Sequence, residues 1–293
     1  MTASQCKQFL IGLPEAGKTT FLAALWHVVT SNEVDGSLVL ERLSGDKKYL
    51  NKIKDTWADV KPLERTKVSA EQLVSMFLKD QNSGFVTETI FPDLSGESFD
   101  IQWQHRKMKK DHAILISEAM GGLLLIHPDK VIEETLITDI TPIINGMKNQ
   151  TEYIIKPIDD GISERIDQTV WDPKKAPTQI KLVDLLQFIT ALNNKKPIKL
   201  AVVISAWDRI QSDTLPSDWL KKRLPLLWQY LTANSEAFSV AFYGVSAQGG
   251  NLGEAVELRK KHTPSERIRV IKDDQVESHD ITAPIRWIMD TFC

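Results

Sequence analysis

The chain predicts an α/β fold built on a mostly parallel sheet, and three observations lead there. Continuous apolar runs recur along it: Lys7 to Ile11, Leu123 to Ile126, Lys199 to Ser205 and Phe238 to Val245. Runs that do not alternate with polar residues suit strands buried on both faces, as in parallel sheets. Between them lie segments with helical spacing, and strand alternating with helix is the signature of an open α/β sheet. The first run also leads directly through a glycine-containing turn into a helix, where Leu22, Leu25, Trp26 and Val29 repeat on one face.

The elements follow in order. Ser37 to Leu43 reads as a short strand, and Ser44 as the cap of a helix through Val60 with Tyr49, Leu50, Ile53 and Trp57 on one face. Pro62 ends that helix. Gln72 to Lys79 and Phe85 to Phe91 are joined by Asp80-Gln81-Asn82-Ser83-Gly84, turn chemistry that predicts an antiparallel hairpin. Ser98 to about Ala119 is helical, with a break near Lys109-Lys110-Asp111 and Phe99, Trp103, Ile114 and Leu115 as core contacts. Thr178 to Leu192 is a well-patterned helix, Trp219 to Leu231 is helical despite Pro225, and Ile281 to Phe292 closes the chain with Pro284 in its first turn.

Length and composition bound the function. At 293 residues the chain is long for one domain and short for two, so one domain over 1–293 is expected. Insertions are expected at about 44–66, 129–178 and 249–279. A hydrophobic share of 42% supports a sizeable core, and the net charge of −3 argues against a protein built to grip nucleic acid. Cys6 and Cys293 sit at opposite ends and form no metal or redox pattern. The N-terminus is polar and unlike a signal peptide. No apolar run approaches the roughly 20 residues of a membrane span. A cytoplasmic protein is expected.

Gly12-Leu13-Pro14-Glu15-Ala16-Gly17-Lys18-Thr19 is a complete GxxxxGK[ST] match, set between a strand and a helix as the motif requires. Its chemistry explains its spacing. The glycines let the backbone curl into a nest whose N–H groups, from Glu15 and Ala16 to Thr20, face a phosphate, and the helix N-terminus adds its positive dipole end. Lys18 is expected to reach the β- and γ-phosphates and the Thr19 hydroxyl to sit on Mg²⁺.

Ligands of open α/β sheets bind outside the carboxyl ends of the strands, so residues just after each strand matter most. Asp93-Leu94-Ser95-Gly96 is a DxxG element in such a place, its acid suited to the Mg²⁺ shell and its Gly96 N–H to the γ-phosphate. A lone DxxG is more often a capped turn, but this one follows a P-loop by one hairpin. Ser205-Ala206-Trp207-Asp208 ends a strand where guanine-specific proteins carry [NT]KxD. An aspartate there accepts hydrogen bonds from guanine N1–H and the exocyclic amine, a pair adenine does not offer. Ser205 replaces the Asn or Thr, Ala206 replaces the Lys, and Trp207 could restore stacking surface over the base. The bland alternative for Asp208 is a helix cap. Ser246-Ala247-Gln248 follows the last strand, where the Ala247 N–H is positioned to meet the guanine carbonyl.

P-loop, DxxG, base-reading Asp and Ser-Ala, each at a strand end and in this order, resemble the Ras-like GTPases of the TRAFAC class. The opening GLPEAGKTTFLAALWH is similar to the bacterial double-GTPase family, whose members are encoded beside predicted activating and effector proteins in conflict, or antiphage, systems. The resemblance implies a three-layer sandwich, a ligand alternating between GTP and GDP with Mg²⁺, and a GTPase-activating or effector partner or self-association. It further implies a first-switch threonine on Mg²⁺. Thr66 is the candidate, with Thr56 or Thr87 as alternatives, and Arg65 beside it could act as an arginine finger in cis. The competing reading of Leu63 to Thr66 is a solvated loop. Glu97 stands where the water-orienting residue is usually Gln; it could accept a proton, but its charge opposes a triphosphate, so slow basal hydrolysis is expected. His127 could face the same cleft, although a lone histidine there is more often structural. Lys107, Lys109 and Lys110 read as a solvated face and the tryptophans as core. Two other readings remain: an ATP-using P-loop protein, and a scaffold that binds nucleotide without hydrolysing it.

Overall fold

The computed structural model describes residues 6–64, 74–92, 96–134, 172–194, 197–211, 213–261, 263–274 and 276–290. In chain order its strands are β1 (Cys6–Ile11), β2 (Val39–Ser44), β3 (Val74–Lys79), β4 (Val86–Phe91), β5 (Gly121–Ile126), β6 (Ile198–Ser205), β7 (Phe238–Ser246), β8 (Arg269–Lys272) and β9 (Glu277–Ser278). The helices are α1 (Lys18–Ser31), α2 (Lys47–Ala58), α3 (Glu97–His105), α4 (Lys110–Glu118), α5 (Thr178–Leu192), α6 (Pro216–Arg223), α7 (Pro225–Ala233), α8 (Ala255–Arg259) and α9 (Ala283–Met289).

The strands form one sheet in the order β2-β3-β4-β1-β5-β6-β7-β8-β9. From β4 through β7 the pairing is parallel. The expected hairpin is present, with β3 antiparallel to β4 and Val74 opposite Phe91. The far edge adds a second antiparallel strand, β8, beyond the one expected.

Alternation along the buried strands divides the core in two. Leu10, Leu123, Leu125, Ala201 and Val203 face α1, α2 and α9. Phe9, Ile11, Leu124, Ile126, Leu200, Val202 and Ile204 face the layer made by α3 to α7. The result is a three-layer α/β sandwich of the P-loop NTPase type, with α1 buried on nearly every side. Among the described residues no helix is long and apolar enough to cross a membrane.

Four expectations need correction. α2 is capped by Asp46, not Ser44: the Asp46 carboxylate accepts from the N–H groups of Lys48 (2.8 Å) and Tyr49 (3.2 Å). Ile114 is not a core contact; it is 45% exposed, and its neighbours Leu115 and Ile116 turn inward instead. Trp103 is half-buried at the edge, its indole donating to the Pro173 carbonyl at 2.8 Å. Pro225 does not sit inside a helix: it opens α7, because it lacks the N–H that a first-turn residue does not use. The segment from 129 to 178, read as an insertion, lies outside the described residues between 135 and 171.

Candidate functional site

The P-loop leaves β1 at its carboxyl end and reverses through two left-handed residues, Glu15 (φ 61°) and Gly17 (φ 90°), before α1 begins. Ala16 N donates to Leu13 O at 3.2 Å and closes the turn. Lys18 is 2% exposed, and its ammonium lies across the loop, donating to the carbonyls of Gly12 (2.7 Å) and Leu13 (2.8 Å). The Glu15 side chain points away to an ion pair with Lys130 at 2.6 Å, so this residue offers the site its backbone.

Gly96 brings the DxxG element to the same point. With φ at 78° it precedes α3, and a Cβ there would lie 2.7 Å from both Gly12 O and Leu13 C and collide with the Lys18 ammonium. Only glycine permits that approach. Glu97 follows as the first residue of α3, half-buried. Asp93, Arg65 and Thr66 lie outside the described residues. Of the alternatives to Thr66, Thr87 pairs with Cys6 at the far end of β1, and its hydroxyl donates to the Cys6 carbonyl at 3.0 Å. Thr56 is half-buried on α2, its hydroxyl donating to Lys52 O at 2.9 Å. Neither faces the P-loop.

A cavity of about 220 Å³ opens beside the P-loop. That is less than a typical pocket of roughly 300–1,000 Å³ for a whole ligand, and it suits the base end of a nucleotide whose phosphates lie on the open loop. Gly17, Thr20, Ser205, Asp208 and Ala247 line it together, so the P-loop and the strand ends of β6 and β7 share one cleft. Ser205 Oγ lies 2.9 Å from Ala16 O and 3.3 Å from Ile126 O, linking the ends of β6 and β5 to the P-loop. The Ser246 hydroxyl donates to the Asp208 carboxylate and accepts from Gly249 N at 3.1 Å, which orients the acid. Ala206, in the lysine position, adopts a left-handed conformation (φ 48°).

Trp207 departs from its expected role. It is 3% exposed and packs on β7, where a Cβ at Gly244 would strike its ring. It belongs to the core on the α3-to-α7 side, and no stacking surface comes from it.

Several lining residues lack a local signal: Lys61 and Leu63 after α2, and Asn251 and Leu252 after β7. Gly249-Gly250 marks a loop, but not where the loop goes. His127, at the end of β5, does both things weighed for it. Its Nδ1 accepts from Asp129 N at 3.2 Å, capping the turn that follows, and the residue lines the cavity. Burial lowers its pKa below the ordinary 6.5, and Arg209 and Lys130 add to that against Asp129 and Asp208. Among the described residues no group of three or more His, Cys, Asp or Glu is placed to hold a metal by side chains alone. The Thr19 hydroxyl, in the first turn of α1, is a hard oxygen of the kind that Mg²⁺ accepts as a ligand.

A parallel sheet whose central strand feeds a Gly-Lys-Thr loop, with a second glycine pressed onto the lysine, defines a P-loop nucleotide-binding protein. The chain belongs to the Double-GTPase 1 family, whose model matches residues 9–288. It is accordingly a GTP-binding protein of a GTP-hydrolysing class. No curated protein matches it. Among solved structures it is similar to a bacterial selenocysteine-specific elongation factor, EF-Sec, at 12% identity and a TM-score of 0.37, over 87% of this chain and 27% of that one. It is also similar to a Plasmodium falciparum protein assigned as nucleolar GTP-binding protein 1, at 15% identity and a TM-score of 0.35, over 89% of each chain. The chain thus spans about a quarter of the elongation factor's length.

Proposed function

We propose that this chain is a guanine-nucleotide switch that hydrolyses GTP slowly on its own and faster with a partner or on self-association. The observation that carries the reading is the shared cleft: Gly17 and Thr20 of the P-loop line the same cavity as Asp208 and Ala247. Gly12, Glu15, Ala16, Gly17, Lys18, Thr19 and Thr20 hold the phosphates, with the Lys18 ammonium exchanging carbonyl partners for phosphate oxygens. Ser205, Asp208, Ser246 and Ala247 form the base end. Asp208 accepts from guanine N1–H and the amine, and the Ala247 N–H donates to the carbonyl.

Thr19, Asp93 and Thr66 are the residues to hold Mg²⁺, which when bound offsets charge on the β- and γ-phosphate oxygens. Gly96 presents its N–H to the γ-phosphate end, beside Lys18. Arg65 is assigned the stabilisation of charge on the transferred group, and Glu97 the orientation of the attacking water. A carboxylate in that role opposes a triphosphate unless a cation sits beside it, which is the reason for the low basal rate. We assign the switch to a bacterial conflict, or antiphage, system with an effector partner, in the cytoplasm; membership of the double-GTPase family supports that reading. One domain carries these parts, with the segments at 44–66, 129–178 and 249–279 as additions to it.

The experiment compares GTP and ATP affinity by calorimetry in the wild type and Asp208→Asn. GTP is expected to bind at least tenfold more tightly than ATP, and the substitution to weaken GTP by about tenfold or more, the 1–3 kcal/mol of an unpaired polar contact. Equal affinities, or an unaffected variant, would favour the ATP-using reading. Single-turnover phosphate release, with Arg65→Ala alongside, separates the switch from a non-hydrolysing scaffold.

A further inference from the structure

The base-reading loop after β7 is held from outside by α2. Trp57, fully buried in the last turn of α2, donates its indole N–H to the Ala247 carbonyl at 2.9 Å, across 190 residues of sequence. Its own carbonyl accepts from Gln248 Nε2 at 3.4 Å and from Arg267 at 3.1 Å. Arg267 is 3% exposed, donates also to Ala58 O at 3.0 Å, and sets its guanidinium 4.6 Å from the centre of the Trp57 ring. Arg259 reaches the next carbonyl, Asp59 O, through two N–H groups at 2.9 and 2.5 Å.

These contacts serve the cavity. The final carbonyls of a helix lack their ordinary helical partners; here two arginines from beyond β7 take Ala58 O and Asp59 O, and Arg267 shares Trp57 O with Val60 N. Immediately after α2, Lys61 and Leu63 form one wall of the cavity, while Ala247 and Gln248 form another. The clamp therefore joins two walls, and Trp57 anchors the peptide group beside the N–H that meets the base.

We propose that Trp57 and Arg267 are positioning residues for recognition of the purine 6-oxo group: by holding the Ala247–Gln248 peptide they fix residue 247, so that the Ala247 N–H of the adjoining peptide reads that oxygen. The inference rests on the guanine reading above. A clamp on Ala247 affects the 6-oxo contact and leaves the contact of Asp208 to the exocyclic amine, which Ser246 orients.

Calorimetry on the full chain, stripped of nucleotide, tests this with three probes. GDP carries both groups, 6-thio-GDP replaces only the 6-oxo oxygen, and inosine diphosphate lacks only the amine. Trp57→Phe removes the indole donor, and Arg267→Lys keeps the charge but loses the fork, so a folding failure of one leaves the other. The expected result is a fall of about 3–10-fold in preference for GDP over 6-thio-GDP, the range of one net hydrogen bond, with the preference for GDP over inosine diphosphate unchanged. If the variants weaken all three ligands equally, or none, the residues are merely structural and the proposal is overturned. If the wild type itself does not distinguish GDP from 6-thio-GDP, Ala247 does not read the oxygen, and the guanine reading fails at that contact first.

Discussion

One hydroxyl, Ser205 Oγ, links three strand ends, since it meets the carbonyls of Ala16 in the P-loop and Ile126 on β5. Ser205→Ala leaves the Ala16 carbonyl without that donor and is expected to weaken nucleotide binding about 3–10-fold, measured by titration with GDP. His127 adds a dependence on acid. Its pKa is lowered in the fold, chiefly by burial, so folding favours the neutral imidazole. The stability this contributes is present above the ordinary value of 6.5 and is lost as pH falls through the lower folded value. Thermal midpoints are therefore expected to drop between about pH 7 and pH 5. His127→Asn, which retains a cap for Asp129 N, should flatten that slope. The legibility of these residues differs for a physical reason. Gly12, Gly17 and Gly96 announce themselves, because each backbone conformation or close approach excludes a side chain. Trp207 does not: whether an indole covers a base or fills a core depends on Gly244, 37 positions away on β7.

At the scale of elements, α2 shows how local chemistry sets a boundary. Asp46 binds two first-turn N–H groups, and Asp46→Ala is expected to cost about 1 kcal/mol, read as a lowered thermal midpoint. Ser44 is the expected cap, but β2 runs through Ser44, which leaves Asp46 in the capping position. Pro225 is expected inside one continuous helix; the bend at Leu224 (φ −137°, ψ 61°) ends the first helix and makes Pro225 the first turn of the next. Strongly apolar strands such as β5 and β6 were readable because both faces are buried. β8 and β9 were not, since four and two residues of mixed polarity carry no period. The Trp57 to Ala247 contact likewise leaves no local trace, because neither residue type signals the other.

Across the whole molecule, the two cores explain why chemistry gathers at one rim. β1, β5, β6 and β7 run parallel, so their carboxyl ends deliver the P-loop, His127, Asp208 and Ala247 to the same side. That convergence was legible from the rule that ligands bind at the carboxyl ends of the strands, whereas Lys61, Leu63, Asn251 and Leu252, which also line the cavity, were not. The borders of the sheet carry one more consequence. β2 is interrupted by an irregularity between Leu40 and Arg42, and β9 is two residues long. Short or kinked margins make poor templates for strand addition, so association of copies through these described sheet edges is disfavoured.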